Sequence, residues 1–484
     1  MQHVATGALT WTQEMIFHLQ KQSACASALV IHHLALLDGP LDYAAFETAF
    51  RHQVSRHEPL HSRYVQVKGI PRVEVMANSM PRFECRDLRS HSRKLHPSLL
   101  AEIVMSATAE EFNLEQGELI RCLLVRLSEQ RCALLLSVHH ICCDGWSLAV
   151  MGRELSTNYR LLLLGKRLGA SSPITRCSDY AARQRAWLAG PSAEKQLEWW
   201  RAKFSHISFP YVSLAKAVPR STRHDPETES VRSRQVVRLS LEALTRLRAT
   251  AARHRVSVFI LLLAAFNMFL LRRKRRSQLT VGTLMANRMS KESIGLMGAH
   301  YNPVVLATDF GTSRLSPSAA LDIISRSFFE AFRHQELPFA LIAAMLMREF
   351  GIIPAALLPL LMVVDKHPLY ELQLAHVSLW ELELSTASPV STARSQVLRQ
   401  LGTTGSDLAL VGWESDGGCT LLVDFDATRI PVDSVGLFVE SYLDIVTEFL
   451  ETLGDGKQGS GSLISSESDN RGLIRRASYE SARR

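Results

Sequence analysis

Residues 137–147 read SVHHICCDGWS, two histidines, two cysteines and an aspartate close behind an apolar run. Three chemistries use such residues. Zinc takes imidazole, thiolate and carboxylate ligands, but its sites space paired ligands by two to four residues and complete the set from a second cluster. Neither C-x-x-C nor H-E-x-x-H occurs in this stretch, so no metal is assigned to it. A cysteine nucleophile needs a base, and His140 precedes Cys143 by three positions. Nothing marks either thiol as activated, and Cys142 and Cys143 read better as small buried fillers. The third chemistry is proton transfer by one histidine, whose neutral imidazole can take a proton from an amine or alcohol attacking a carbonyl.

Neighbouring side chains at a strand end point to opposite faces, so only one of His139 and His140 can face a reacting group. Asp144 is expected to orient the loop or to pair with an arginine. Gly145 is expected to let the backbone turn where a side chain would clash, leaving its amide N–H free for an oxyanion. Trp146 and Ser147 open the next helix, with Ser147 as its cap or as a donor to substrate. A buried polar turn holding two satisfied histidines is the non-chemical reading of the same residues.

The elements that must hold this loop follow from periodicity. IRCLLVRL and RCALLLSVHH, separated by Ser128-Glu129-Gln130, predict a hairpin whose second strand feeds the two histidines into a loop. Leu148, Met151, Leu155 and Tyr159 share one helical face, so the site lies between strand and helix, where loops on a rigid scaffold carry function. Helices are predicted near 9–20, 42–56, 240–253, 256–271, 319–347 and 435–451, strands at LTVGTLMANR and NPVVLATDF, and a late hairpin at LALVGWES and CTLLVDFDA.

Length and charge set the outer limits. A chain of 484 residues, 46% hydrophobic and 21% charged, holds more than one ordinary core. Eight cysteines without regular spacing point to free thiols in a reducing, cytoplasmic setting. No secretory signal opens the chain, and the apolar run 256–271 is too short to span a bilayer, so no membrane partner is expected. The net charge of +8 asks for an acidic partner. Its tight cluster, Arg272 to Arg276, follows the apolar helix and opposes the negative helix end, so no nucleic acid is expected.

The motif HHICCDGWS resembles the H-H-x-x-x-D-G core of the condensation domains of nonribosomal peptide synthetases and, more distantly, the chloramphenicol acetyltransferase superfamily. LTWTQEMIF (9–17), RHEPLHSRY (56–64), CSDYAARQRAWL (177–188) with LEWW, VGTLMANR (281–288), GAHYNPVVL (298–306), RHQELPF (333–339) and VDFDATRI resemble further family motifs in order. The resemblance implies an α/β fold of two acetyltransferase-like lobes, a V-shaped pseudo-dimer with a central active-site tunnel. The N-terminal lobe would span 1–175, the C-terminal lobe with bridging elements 176–453, and a flexible tail, a docking segment, 454–484.

The resemblance makes His140 the catalytic residue and His139 its structural neighbour. Asp144 would be the family's buried aspartate, bonded to an arginine. The expected arginine position carries His61, leaving Arg63 or Arg56 as substitutes. Asn302 matches the motif's asparagine; His300, in an altered segment, joins it as a candidate lining the substrate channel. The implied function is acyl transfer from a carrier-protein phosphopantetheine thioester to an amine or hydroxyl, giving an amide or ester in nonribosomal peptide or polyketide biosynthesis. No cofactor is expected to be bound intrinsically. The expected partners are an acidic acyl or peptidyl carrier and a small-molecule acceptor or second carrier, met by a free-standing monomer. An epimerase-like activity and a noncatalytic docking role are the alternatives within the family.

Overall fold

In a computed structural model of the chain, the described residues are 6–22, 29–76, 80–169, 175–207, 232–274, 277–311, 315–352, 357–366, 371–381, 406–415, 418–454 and 463–464. The first half runs β1 (Thr6–Gly7), α1 (Trp11–Gln22), β2 (Val30–Asp38), α2 (Tyr43–Arg56), β3 (Ser62–Val67), β4 (Ile70–Val75), β5 (Arg82–Asp87), α3 (His96–Ala109), β6 (Ile120–Ser128), β7 (Arg131–His139), α4 (Gly145–Leu163), α5 (Cys177–Leu188) and α6 (Pro191–Ser205). The second half runs β8 (Arg232–Leu239), α7 (Leu241–Arg253), α8 (Val258–Lys274), β9 (Gln278–Met285), α9 (Lys291–Ile294), β10 (Asn302–Asp309), α10 (Pro317–Phe332), α11 (Phe339–Phe350), β11 (Leu360–Lys366), β12 (Ser378–Glu381), β13 (Leu408–Ser415), β14 (Gly418–Asp426) and α12 (Val432–Leu453).

The hairpin expected ahead of the site is β6–β7, antiparallel, with Ile120 opposite Val138 and an irregularity between Arg126 and Ser128. Both strands are buried along almost their whole length because they lie inside a five-stranded sheet of order β12-β2-β7-β6-β5. On one face pack Phe46, Phe50, Leu148, Met151 and Tyr159 from α2 and α4. The other face is covered by Leu100 and Val104 of α3.

The second lobe is built on a six-stranded sheet of order β10-β9-β11-β13-β14-β8. The late hairpin is present as β13–β14, and β11 runs parallel to both β9 and β13. Helix α8 forms the centre of this lobe's core, with Leu262, Leu263, Phe266 and Leu270 fully buried. At its exposed end Arg272 pairs with Glu448 of α12 at 2.6 Å. Among the described residues no single helix is long and apolar enough to cross a membrane.

Packing crosses the expected division at residue 175. Strand β12 pairs antiparallel with β2 at the edge of the first lobe's sheet, and Met297, Ala299, Tyr301, Leu372 and Leu374 sit in the first lobe's core. The flexible tail expected over 454–484 is corrected at one point. Leu463 is buried in the second lobe, its carbonyl accepts from the Ser240 N–H at 2.9 Å, and Ile464 bridges to Leu239. The rest of the expected tail, beyond Gly454, lies outside the described residues.

Candidate active site

Strand β7 ends at His139, and the chain then turns through His140–Cys143 into α4. The two histidines part company there. His139 is wholly buried: its Nδ1 accepts from the Ile141 N–H at 3.1 Å and its Nε2 lies 3.2 Å from Gln20 Oε1. Burial, reinforced by the charge His140 would carry, lowers its pKa to about 3, so it stays neutral and structural.

His140 turns the other way, against Tyr301, with ring centroids 5.2 Å apart and planes at 53°. Its backbone N–H is anchored on the Leu29 carbonyl at 2.7 Å. Its Nδ1 is buried without a hydrogen-bond partner, so the 8% of the residue that solvent still reaches lies elsewhere. Burial lowers its pKa, and the carbonyls of His140 and Cys143 together with the charge of Asp144 pull the other way. The imidazole is neutral at pH 7.

Asp144 caps α4. Its carboxylate accepts from the Ser147 N–H and hydroxyl, both at 2.7 Å, from the His300 N–H at 3.1 Å, and from Arg288 Nη2 at 2.9 and 3.0 Å. Burial would raise this carboxyl, but Arg288, His300 and Ser147 hold it below the usual carboxylate range. Those donors fix the carboxylate in place at the start of α4.

The arginine comes from an unexpected place. His61 bonds the Val54 carbonyl, Arg63 pairs with Glu74 on the β3–β4 hairpin, and the partner of Asp144 is Arg288, just beyond β9. Asn287 before it adopts the left-handed backbone region (φ 52°), which asparagine tolerates better than most residues. Arg288 then donates from Nη1 to the carbonyls of Ser293 and Leu296 and from Nη2 to Asp144, and both partners of the ion pair are almost fully buried. This pair ties the start of α4 to the segment 293–300.

Ser147 is neither the helix cap nor exposed to substrate. It is fully buried, its hydroxyl serving Asp144 while it accepts from the Gly298 N–H at 3.1 Å. The reason expected for Gly145 is also corrected: a Cβ there would meet nothing within 4 Å, so the residue opens onto free space at the helix start. Trp146 is 39% exposed and donates from Nε1 to the Ile294 carbonyl. A glycine is instead required at 298, where φ is +140° and a Cβ would lie 2.8 Å from His300 Nε2 and 3.0 Å from Cys177 Sγ.

His300 is buried with its ring edge-on to Tyr180, centroids 4.8 Å apart, and near Cys177, which turns it toward α5. Burial, with the charge of Arg288, lowers its pKa to about 3. Asn302 has a different task from channel lining: its amide donates to the carbonyls of Gln335 and Leu337 and accepts from the Phe339 N–H, bracing the turn into α11. Cys142 and Cys143 are fully buried, their thiols directed at the carbonyls of His139 and Asp144, and burial raises both pKa values, as expected of fillers.

What these residues leave is one neutral imidazole at the junction of two lobes, beside a tyrosine that periodicity and motif spacing do not single out. The family profile described as "Condensation domain" matches residues 4–455. The chain belongs to the condensation-domain family. It is 31% identical over 338 residues to a linear gramicidin synthase of Brevibacillus parabrevis, a match that covers 68% of this chain and only 6% of that much longer synthase. Among solved structures, the condensation domain of monacolin K polyketide synthase superposes with a TM-score of 0.76 at 16% identity, covering 93% of this chain and 98% of that one. The SgcC5 protein of Streptomyces globisporus, solved with a naphthyl ethanediol, superposes with a TM-score of 0.70 at 19% identity, covering 92% and 98%. These likenesses show the fold, two acetyltransferase-like lobes in a pseudo-dimer, with the β7–α4 loop of this condensation domain at their meeting point.

Proposed function

We propose that this condensation domain transfers an acyl group from the phosphopantetheine thioester of a carrier protein to an amine or hydroxyl. The observation that carries the reading is His140: a neutral, backbone-anchored imidazole whose neighbours leave it free for a proton. Attack by the acceptor on the thioester carbon requires removal of the acceptor's proton, and a positioned base of this kind contributes roughly 100-fold to 10,000-fold. Asp144, Arg288 and Ser147 act through geometry by fixing the start of α4 against the second lobe. The thioester is already activated, so the chemistry calls for no nucleotide.

The net charge of +8 fits an acidic carrier as donor partner. For the acceptor we favour a freely diffusing small molecule. The SgcC5 structure, holding a small diol within the same fold, supports that preference for an alcohol and hence an ester product. The test is mass spectrometry of an acyl-loaded carrier offered free alcohols, free amines and the same acceptors on a second carrier. Release from the free alcohols, abolished by His140→Ala, is the expected outcome. Product from carrier-bound acceptors alone would defeat the free-acceptor reading. Incubation of the loaded carrier alone in deuterated water addresses the epimerase alternative, which predicts label at the α-carbon where acyl transfer predicts none.

A further inference from the structure

Among the described residues, buried tyrosine hydroxyls have partners. Tyr64 accepts from Gln13 Nε2 at 3.2 Å, Tyr159 accepts from the Asp42 N–H at 3.0 Å, and Tyr442 donates to the Leu262 carbonyl at 3.1 Å. Tyr301 is the exception in this set. Its hydroxyl is buried with no hydrogen-bond partner, on a residue 6% exposed, and its ring lies against that of His140. An orphaned donor is unfavourable in a folded protein unless something else uses it.

Its surroundings hold it still. The Tyr301 carbonyl accepts from the Thr12 hydroxyl at 2.9 Å, the preceding residue is fixed by its N–H on Asp144, and the following residue by the Asn302 amide. Burial and the Asp144 charge raise the phenol pKa well above its ordinary value, so the group remains a neutral donor throughout the working pH range. A fixed donor that changes neither charge nor position suits charge that develops only during reaction.

We propose that the Tyr301 hydroxyl donates a hydrogen bond to the thioester carbonyl oxygen as that oxygen becomes an oxyanion beside His140; the proposal rests on the acyl-transfer reading above. The acceptor nitrogen or oxygen bonds to the carbonyl carbon, its proton passes to the His140 imidazole, and the carbonyl electron pair moves onto the oxygen facing Tyr301. The oxyanion then reforms the carbonyl, the carbon–sulfur bond breaks, and the departing pantetheine thiolate takes the proton back from His140. No oxidant, metal or further reactant enters the balance.

The experiment compares wild type, His140→Ala and Tyr301→Phe, using an acidic carrier protein loaded with a series of straight-chain acyl groups and 2-phenylethanol or 2-phenylethylamine as acceptor. For Tyr301→Phe the expected result is a kcat lower by roughly 100-fold to 1,000-fold with KM for the acceptor unchanged, the signature of a donor used only in the transition state. Its Tm should equal or exceed that of wild type, because the hydroxyl it loses has no partner in the resting protein. Unimpaired kcat, a loss confined to KM, or a lower Tm would each overturn the oxyanion role. No turnover by wild type would overturn the acyl-transfer reading and this role with it, whereas turnover by wild type alongside an equally fast Tyr301→Phe would overturn this role alone.

Discussion

The Asp144 carboxylate and the Arg288 guanidinium stand 144 residues apart in the chain and 2.9 Å apart in space, both nearly excluded from solvent. Removing one partner strands the other as a buried charge. Arg288→Ala should therefore destabilise the fold by about 3–5 kcal/mol. The double variant Asp144→Ala/Arg288→Met should recover part of that loss, and urea unfolding would measure both. Equal stability of Arg288→Ala and wild type would contradict the assignment of the pair.

Acid should weaken the fold through its buried histidines. His139 and His300 have folded pKa values of about 3 and His32 of about 4, all depressed mainly by burial, against about 6.5 when unfolded. Above pH 6.5 all three are neutral in both states and their contribution is fully present. As pH falls from there toward 4 the unfolded chain takes up protons that the native protein refuses, and stability declines by about 1.4 kcal/mol per pH unit for each imidazole. His300→Gln should reduce that slope by one proton's worth, measured as unfolding free energy between pH 7 and 5.

Thiol reactivity should divide by burial. Cys85 is exposed, while Cys122, Cys132, Cys142, Cys143, Cys177 and Cys419 are buried. In the native protein a thiol reagent should modify Cys85 and leave these six protected until urea is added, with mass spectrometry of peptides as the readout. Rapid native labelling of Cys143 would restore a reactive-thiol role at the loop.

Asn302 braces three backbone groups at the turn into α11, so Asn302→Ala should cost about 3 kcal/mol, the order expected when buried carbonyl and N–H groups lose their partner. Calorimetry would report the loss. A variant as stable as wild type would show that water replaces the amide.

Local periodicity made the β6–β7 hairpin and α4 legible, since alternation and 3.6-residue spacing are written in neighbouring residues. It also required that only one ring of the His139–His140 pair face a shared site; the choice of His140 came from the resemblance to the family motif. The partner of Asp144 was legible only as a requirement. A buried aspartate demands a cation, but which arginine supplies it depends on how β9 crosses from the other lobe, and the resemblance of RHEPLHSRY to a family motif pointed instead to Arg63 or Arg56. The signal was present in the Asn-Arg that closes VGTLMANR, a left-handed turn residue that re-aims the side chain after it. Tyr301 gave no signal at all, because a tyrosine just ahead of an apolar strand reads as core until its hydroxyl is seen to lack a partner.

Strand β12 has a consequence for how the protein is made. It pairs Ser378 with Asp38 and so closes the edge of β2, an apolar strand synthesised well before it. At about 5–20 residues per second, that edge waits for tens of seconds with unpaired backbone groups before its neighbour leaves the ribosome. During that interval it is a template for any other extended chain. Yield in a cell should therefore depend on translation speed and on chaperones that hold an open sheet edge, and a nascent chain stopped ahead of residue 378 should aggregate through β2 even though its histidine loop is already complete.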